Sequence, residues 1–466
     1  MRDLSQIPQG VHTLWAQLSE RAPSYLVGGA VRDLLEHRMP NDWDLATALQ
    51  PEDLLRLGAE AGYGVTATGA KWGTVTFITP SGPCEVTTFR RDGRYQDGRH
   101  PQTVTFTNTI EEDLARRDFT INAMALSLEG ILIDPYGGQR DLYQSTIRTV
   151  GDPVRRFQED PLRLWRAVRM IGLDHAGHSL TLSSVTAETI QRYKALSLSV
   201  SAERQRDELC KLLQTPHFDQ ALRAADDLGL ISLIWPEWEA TRHFNQRNPH
   251  HRYLLHDHNL MTASLGPTPL LRLAGLLHDI AKPQCLVLDN DGIGHFYDHA
   301  EIGARYVRSM LTRLRFPLHT VESVAMLVNL HMFPWEEASL KAQRRLVRTI
   351  GEARVQELLT LYRMDLIATG TVSQWDNEDA VRKAVASLFD WGKEPPAFGK
   401  APPLAVSGRD VMSWCKIPPG KAVGQWLERI ADWVDEDPAR NTREQIAAFV
   451  QTFDAALSHG KADSSQ

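Results

Sequence analysis

Asp42 and Asp44, two carboxylates separated only by Trp43, follow a di-glycine, Gly28-Gly29, within the stretch YLVGGAVRDLLEHRMPNDWDLATA from Tyr25 to Ala48. Hard divalent cations take such oxygen ligands. A turn without β-carbons lets backbone N–H groups approach phosphate oxygens, and a helix N-terminus behind it favours negative charge. Arg32, one turn into that helix, adds a cation for a triphosphate. Either half alone is most simply a tight connection or a surface Asp-x-Asp. Both in this order put phosphate and metal side by side.

The elements that must position these groups read as strand, turn, helix and strand. Tyr25–Val27 is apolar, Val31, Leu34 and Leu35 keep helical spacing, and a second strand carries both aspartates, whose side chains then share a face. Val65–Thr68, Thr74–Ile78 and Glu85–Phe89 are short and β-branched, so the pattern predicts one mixed sheet of about five strands. Glu85 is either a further carboxylate near the metal or a solvent-facing group. Arg90–Pro101 is a long polar loop with Arg90, Arg91, Arg94 and Arg99, of the kind that serves as a lid or as plain surface.

Beyond the Glu111–Ala125 stretch EEDLARRDFTINAMA the pattern turns helical. Asp160-Pro161 is a helix start. Arg163, Arg166 and Arg169 then recur every third residue opposite Leu164, Val168 and Ile171, as a solvated face or as the wall of a nucleotide pocket. Base chemistry favours the pocket. Cytosine and adenine each show an amino donor beside a ring-nitrogen acceptor, where uracil and guanine show the reverse. An aspartate that accepts next to an arginine that donates matches the first pair and rejects the second.

A different chemistry follows. His258, His278-Asp279, His299, His331 and Asp365 come in that order on successive helical stretches spanning about a hundred residues, a pattern far more specific than one His-Asp pair. His250, His251, His256 and His295 fall outside it, as surface or supporting residues.

The 466 residues imply roughly three domains. The formal charge of −7 excludes a generic nucleic-acid coat and points to a localised RNA or nucleotide site on an acidic enzyme. No apolar run is long enough for a membrane, and Met1–Gly10 lacks the pattern of a signal peptide, which predicts a cytoplasmic protein without a membrane partner. Cys84, Cys210, Cys285 and Cys415 show no paired spacing, as in a reducing compartment. A Pro-rich linker, Lys393–Pro403, precedes a last module in which Val423, Trp426, Leu427, Ile430, Trp433 and Val434 form a packing stripe; Gly460–Gln466 reads as a disordered end.

Gly28-Gly29-Ala30-Val31-Arg32-Asp33 followed by Asp42-Trp43-Asp44-Leu45-Ala46-Thr47 resembles the catalytic head of the class II tRNA nucleotidyltransferase and bacterial poly(A) polymerase superfamily. The resemblance implies that Asp42 and Asp44 are catalytic and hold magnesium, that Gly28, Gly29 and Arg32 bind the nucleotide, and that Arg117 of the RRDFTINA segment contacts it while Asp118 orients its neighbours. Glu159-Asp160-Pro161-Leu162-Arg163 resembles the EDxxR motif, in which Asp160 and Arg163 read the base and Arg166 and Arg169 hold phosphates or sugar. In that family the loop at 90–101 matters for adding the final adenosine.

The histidine series resembles the HD metal-dependent phosphohydrolases, with His258, His278, Asp279 and Asp365 as ligands to a divalent metal of unspecified identity, and His299 and His331 available to a second metal or to phosphate. The last module resembles the part of bacterial CCA-adding enzymes that holds the tRNA elbow. The implied fold class is α+β: a small mixed-sheet head over 1–150, a helical neck over 151–215, an HD-bearing helical body over 216–390 and a helical tail over 391–466. The implied activity is addition of C, C and A to tRNA from CTP and ATP. Its alternatives are an enzyme adding only the terminal A, a poly(A) polymerase, and an HD phosphohydrolase acting on RNA ends.

Overall fold

The computed structural model describes residues 4–93, 103–248, 253–335, 338–369 and 403–459. Arg94, Arg99, His250, His251, all but the last residue of the Lys393–Pro403 linker, and residues 460–466 lie outside them.

The head is built on strands β1 (Ser24–Val27), β2 (Asp44–Thr47), β3 (Gly64–Thr66), β4 (Thr74–Thr79), β5 (Gly82–Thr88), β6 (Arg90–Asp92), β7 (Val104–Phe106), β8 (Ala125–Leu126) and β9 (Leu132–Ile133). Seven of them form one sheet in the order β3-β4-β5-β2-β1-β8-β9, with β2 and β5 parallel and the other pairs antiparallel. The sheet is therefore mixed as expected, but larger than the expected five strands. β8 is only two residues, too short to leave an alternating pattern, and the run Ile131–Ile133, which reads as a last strand ahead of a turn, joins the sheet as β9. β6 and β7 pair separately, at the base of the arginine-rich loop.

Alternation decides which side chains meet. Leu26, Leu45, Phe77 and Val86 point to one face, where Leu14, Trp15 and Leu18 of the Gln9–Arg21 helix and Leu54 and Leu57 of the Pro51–Ala61 helix cover them. Val27 and Ala46 point to the other, against Ile110 and Leu114 of the Ile110–Ala115 helix. Asp44 is two residues from Ala46 on β2 and so shares this second face, toward the Arg116-Arg117 pair that follows the covering helix. Asp42 is not on the strand with it. It occupies an exposed bend before Asp44, because buried Trp43 anchors the turn into β2.

The neck carries the helices Pro153–Glu159, Leu162–Ile171, Ser184–Tyr193 and Ala202–Leu212, tied by a two-residue parallel ladder (Thr146–Ile147 with Thr181–Leu182) and a small hairpin (Asp174–His175 with His178–Ser179). One apolar cluster runs from Phe119 and Ile121 through Trp165, Leu209 and Trp235 to Leu276, Val328 and Met364. The neck thus shares its core with the helices behind it, each large buried side chain contributing about 1.5–3 kcal/mol.

The tail helices Gly408–Cys415, Lys421–Glu436 and Arg443–His459 pack on a cluster of their own, in which Val423, Trp426, Ile430 and Val434 are buried as their spacing predicts. The first begins at a capping box between Ser407 and Asp410. Lys341 joins the tail to the Leu340–Ile350 helix through Glu436 at 2.7 Å. All four cysteines are free. Among the described residues no helix is long and apolar enough to cross a membrane.

Candidate active site

A cleft of about 360 Å³ opens between the second face of the sheet and the neck, and its walls include Gly28, Gly29, Asp44, Glu85, Arg117, Asp118, Asn122, Asp160, Arg163, Arg166 and Arg204. Asp44 starts β2 directly opposite Glu85 of β5 in the parallel register. Burial pushes the Asp44 carboxyl up to about 6; Arg117 opposes this, while the charges of Glu85 and Asp42 add to it. Asp44 and Glu85 in register, with Asp42 close enough to act on Asp44, form a donor set suited to a hard divalent ion, whose binding would relieve the cost of ionising Asp44. Glu85 is thereby placed on the cleft side of the sheet.

Gly28 holds φ +72°, and a β-carbon there would stand 3.1 Å from Nη1 of Arg117 and 3.7 Å from Oδ2 of Asp44. Only glycine combines that backbone with that closeness. Arg117 donates through Nη2 to Oδ2 of Asp113 at 3.1 Å, and Arg116 donates to Oδ1 from Nε and Nη2 at 3.0 and 2.7 Å. Burial would raise the Asp113 carboxyl, but the two guanidiniums outweigh it and hold it below the usual range. Arg32 lies behind Gly29, donating to Asn122 Oδ1 at 2.9 Å and to Asp33 Oδ1 at 3.0 Å. Asp118, also buried, accepts from the Phe119 N–H and from Arg166 Nε, each at 2.8 Å. Its burial works against ionisation, but Arg166 and Arg163 depress it strongly.

Asp160 ends the Pro153–Glu159 helix and accepts the Leu162 N–H at 3.1 Å, which starts the Leu162–Ile171 helix as the sequence predicts. Both of its oxygens also accept from Arg204 Nη2, at 3.2 and 3.0 Å. Arg163 donates through Nη1 to the Arg156 carbonyl at 3.1 Å and to Glu159 Oε2 at 3.0 Å, and through Nη2 to the Arg116 carbonyl at 3.1 Å. The acceptor and the donor expected to face a base therefore line the same cleft, each fixed by its neighbours.

The arginine stripe divides. Arg166 reaches the cleft, whereas Arg169 turns to Glu208 Oε2 at 2.6 Å and ties two neck helices together. The third position of an every-third-residue series has rotated away from the first, so Arg169 is a packing residue rather than a wall of the cleft. Arg204 and Asn122 were not legible as site residues. Arg204 meets Asp160 across a sequence separation of 44, which no local pattern reports.

The second constellation closes in the body. His258 lies on the Leu255–Ser264 helix, His278 ends Pro269–Leu277, His299 begins His299–Arg313, His331 ends Leu318–Leu330, and Asp365 comes from Glu352–Thr369. His258, His278 and Asp365 form one possible ligand group and Asp279, His299 and His331 another. Asp279 joins them: its Oδ2 lies 3.2 Å from His278 Nε2 and its Oδ1 lies 3.3 Å from His299 Nε2.

The Nδ1–H of His278, His299 and His331 donates to the carbonyls of Gly275, Phe296 and Val328 at 2.8, 2.6 and 2.6 Å. These bonds leave the Nε2 lone pairs directed inward, the arrangement of histidine ligands. Nε2 atoms then face one another at 3.2 Å in two pairs, His258 with His278 and His299 with His331. Such facing acceptors need a cation or a proton between them. Burial would lower His278, but Asp279 and Asp365 push it up to about 10, whereas burial holds His331 below its ordinary value. Lys282, which no local pattern ties to the histidines, lies 2.6 Å from Asp279 Oδ2. His295 pairs with Asp289 at 2.9 Å and stacks on Tyr297, while His256 stands beside Asp257; both are apart from the cluster, as expected.

Comparison with known proteins follows the same division. The poly(A) polymerase head domain family matches residues 24–148, a probable RNA- and SrmB-binding site of polymerase A matches 179–241, and the HD domain matches 259–386. A CCA-adding enzyme of Geobacillus kaustophilus is 32% identical over 428 residues, covering 92% of each chain. The chain belongs to the family of the CCA-adding enzymes. This nucleotidyltransferase family also includes an A-adding tRNA nucleotidyltransferase of Deinococcus radiodurans, 33% identical over 447 residues and covering 92% of this chain and 95% of that one. Among solved structures, the CCA-adding enzyme of Bacillus stearothermophilus in complex with CTP matches with a TM-score of 0.64 and 26% identity, over 97% of this chain and 98% of that one.

Proposed function

We propose that this family member adds C, C and A to the 3′ end of tRNA from CTP and ATP without a nucleic-acid template. The observation that carries the reading is a single cleft in which the Asp44 and Glu85 carboxylates, the Gly28–Arg117 floor and the Asp160–Arg163 pair face one space. In this reading Asp42 and Asp44 hold magnesium, which when bound neutralises charge on the phosphates and activates the attacking 3′-hydroxyl. Arg117 binds the triphosphate at Gly28 and Gly29, with Arg32 supporting that turn from behind. Asp118 holds Arg166 against the nucleotide. Asp160 accepts the amino group of cytosine or adenine, and Arg163 donates to the adjacent ring nitrogen. The 3′-hydroxyl attacks the α-phosphate and pyrophosphate leaves.

We assign the head to 1–150, the neck to 151–215, the HD-bearing body to 216–390 and a tRNA-holding tail to 391–466, in a cytoplasmic enzyme. The test is single-nucleotide incorporation on tRNA lacking CCA and on tRNA ending in CC, each with CTP or ATP alone. Extension of the first substrate by CTP is expected; its failure overturns the reading. A second reading, addition of the terminal A alone, is favoured by the equal similarity to the Deinococcus A-adding enzyme. It predicts that only ATP on the CC-ending tRNA is used.

The HD cluster supports a separate phosphohydrolase action on RNA ends. Its basis is the pair of ligand groups, one containing Asp279 and the other with its two histidines facing Asp279 Oδ2, beside a cavity of about 580 Å³ lined by Phe296, Tyr297, Phe333 and Trp335. Release of phosphate from phosphorylated RNA ends by the wild type, but not by Asp279→Ala, tests it.

A further inference from the structure

The assignment of Asp160 as a base-reading group leaves open what aims its carboxylate. A carboxylate offers about four lone-pair positions. In Asp160 the Leu162 N–H occupies one on Oδ1, and Arg204 Nη2 reaches both Oδ1 and Oδ2. The carboxylate is thereby held from two sides while Asp160 still lines the cleft. Arg204 itself lines that cleft and is not free to wander. It sits in the first turn of the Ala202–Leu212 helix. In the same helix Gln205 donates to the Ser197 and Val200 carbonyls at 3.1 and 2.7 Å, and Glu208 is gripped by Arg169 at 2.6 Å.

We propose that Arg204 is a specificity-determining positioning residue: by holding both oxygens of Asp160 it fixes the direction in which that carboxylate accepts a base amino group, and so sets the preference for cytosine and adenine over uracil and guanine. The inference rests on the reading of Asp160 as the base acceptor. Without Arg204, Asp160 keeps only the Leu162 N–H and its terminal torsion is loose. A loose carboxylate still accepts hydrogen bonds, but it no longer penalises a base that presents a carbonyl there. Lysine at 204 would keep a cation beside Asp160 but lack the planar guanidinium that here brings one nitrogen, Nη2, to both oxygens, so it restores the hold only in part.

The experiment measures kcat and KM on the full-length protein for CTP and UTP with tRNA lacking CCA, and for ATP and GTP with tRNA ending in CC. The variants are Arg204→Ala, Arg204→Lys, Asp160→Ala and the Asp160→Ala/Arg204→Ala double. Arg204→Ala is expected to narrow the ratio of kcat/KM between correct and incorrect nucleotide by about tenfold or more. Arg204→Lys falls between it and the wild type, and the double variant discriminates no worse than Asp160→Ala alone. Unfolding temperatures identify any variant that fails to fold, in which case the lysine variant carries the test. Wild-type discrimination in both Arg204 variants, with discrimination lost in Asp160→Ala, overturns the proposal while sparing the role of Asp160. Wild-type discrimination in Asp160→Ala overturns both.

Discussion

Gly28 and Arg117 meet across the floor of the cleft, with the guanidinium 3.1 Å from where a β-carbon on Gly28 would stand. Gly28→Ala would displace Arg117 and strain a backbone at φ +72° and ψ −139°, at a cost of about 1–3 kcal/mol for the backbone alone. Apart from that loss of stability, we expect the displaced guanidinium to raise KM for CTP and ATP by about tenfold. Gly29→Ala is the control: its β-carbon would approach Arg32 Nη2 at 3.4 Å, the far end of a flexible side chain, and steady-state kinetics should show a much smaller change.

Asp118 is buried between the neck and the head, and Arg166 is its partner at 2.8 Å. Replacing it with alanine leaves a guanidinium partly buried without its anion, which should cost about 2–3 kcal/mol, less than for a fully buried pair because Arg166 is partly exposed. Its folded-state pKa is depressed, so its contribution is fully present above the ordinary aspartate range and is lost as pH falls below it. Denaturant unfolding at pH 7 and at pH 3 should show the wild-type advantage over Asp118→Ala shrinking at the lower pH.

Asp44 has the opposite sign. Its carboxyl is raised to about 6, so between its unfolded value of 3.8 and about 6 the folded protein binds the extra proton and stability falls with rising pH. Above about 6 the cost is fully present. In a chelator at pH 8, Asp44→Asn should therefore be more stable than the wild type, by about 1–3 kcal/mol, and inactive in nucleotide addition. Magnesium added to the wild type at pH 6 should release protons, measurable in weakly buffered solution, and should release fewer in the variant.

The HD cluster predicts a metal count. Elemental analysis after saturation with a divalent ion and removal of excess should show that Asp279→Ala loses more metal than either His258→Ala or His299→Ala. Asp279 serves both groups, whereas each histidine serves one. Nucleotide addition by all three variants should stay within about twofold of the wild type. Their side chains belong to a different cluster from the cleft that holds Asp44 and Asp160.

The residues that could be read from the chain are those whose chemistry is written locally. The Gly28-Gly29 turn, the Asp160 cap and the apolar stripe from Val423 to Val434 each depend on neighbours within a few positions, and each stands where the pattern put it. The ordered histidines also assembled, although their ligand atoms come from five helices, because the order itself carried the signal. What could not be read was contact across distance or the fine rotation of a helix. Arg204 reaching Asp160, Lys282 reaching Asp279 and Arg169 leaving the cleft for Glu208 follow from tertiary packing. Likewise Asp42 fell on a bend rather than on β2 because buried Trp43, not alternation, sets the start of that strand.

The apolar cluster that begins at Phe119 and Ile121 and ends at Met364 has a consequence for how the chain can be divided. Phe119 follows Arg117 and Asp118 by one or two positions, so the segment proposed to contact the nucleotide is rooted in the same apolar cluster as the helices around the histidine cluster. A fragment stopped at residue 215 would lose the Phe218–Asp227 helix that packs on Leu162–Ile171 within this cluster, leaving apolar surface to water, and such a surface aggregates. Loss of the HD half by truncation would thus be felt as insolubility before it was felt as a missing activity. That gives the body a reason to be retained even where its metal chemistry goes unused.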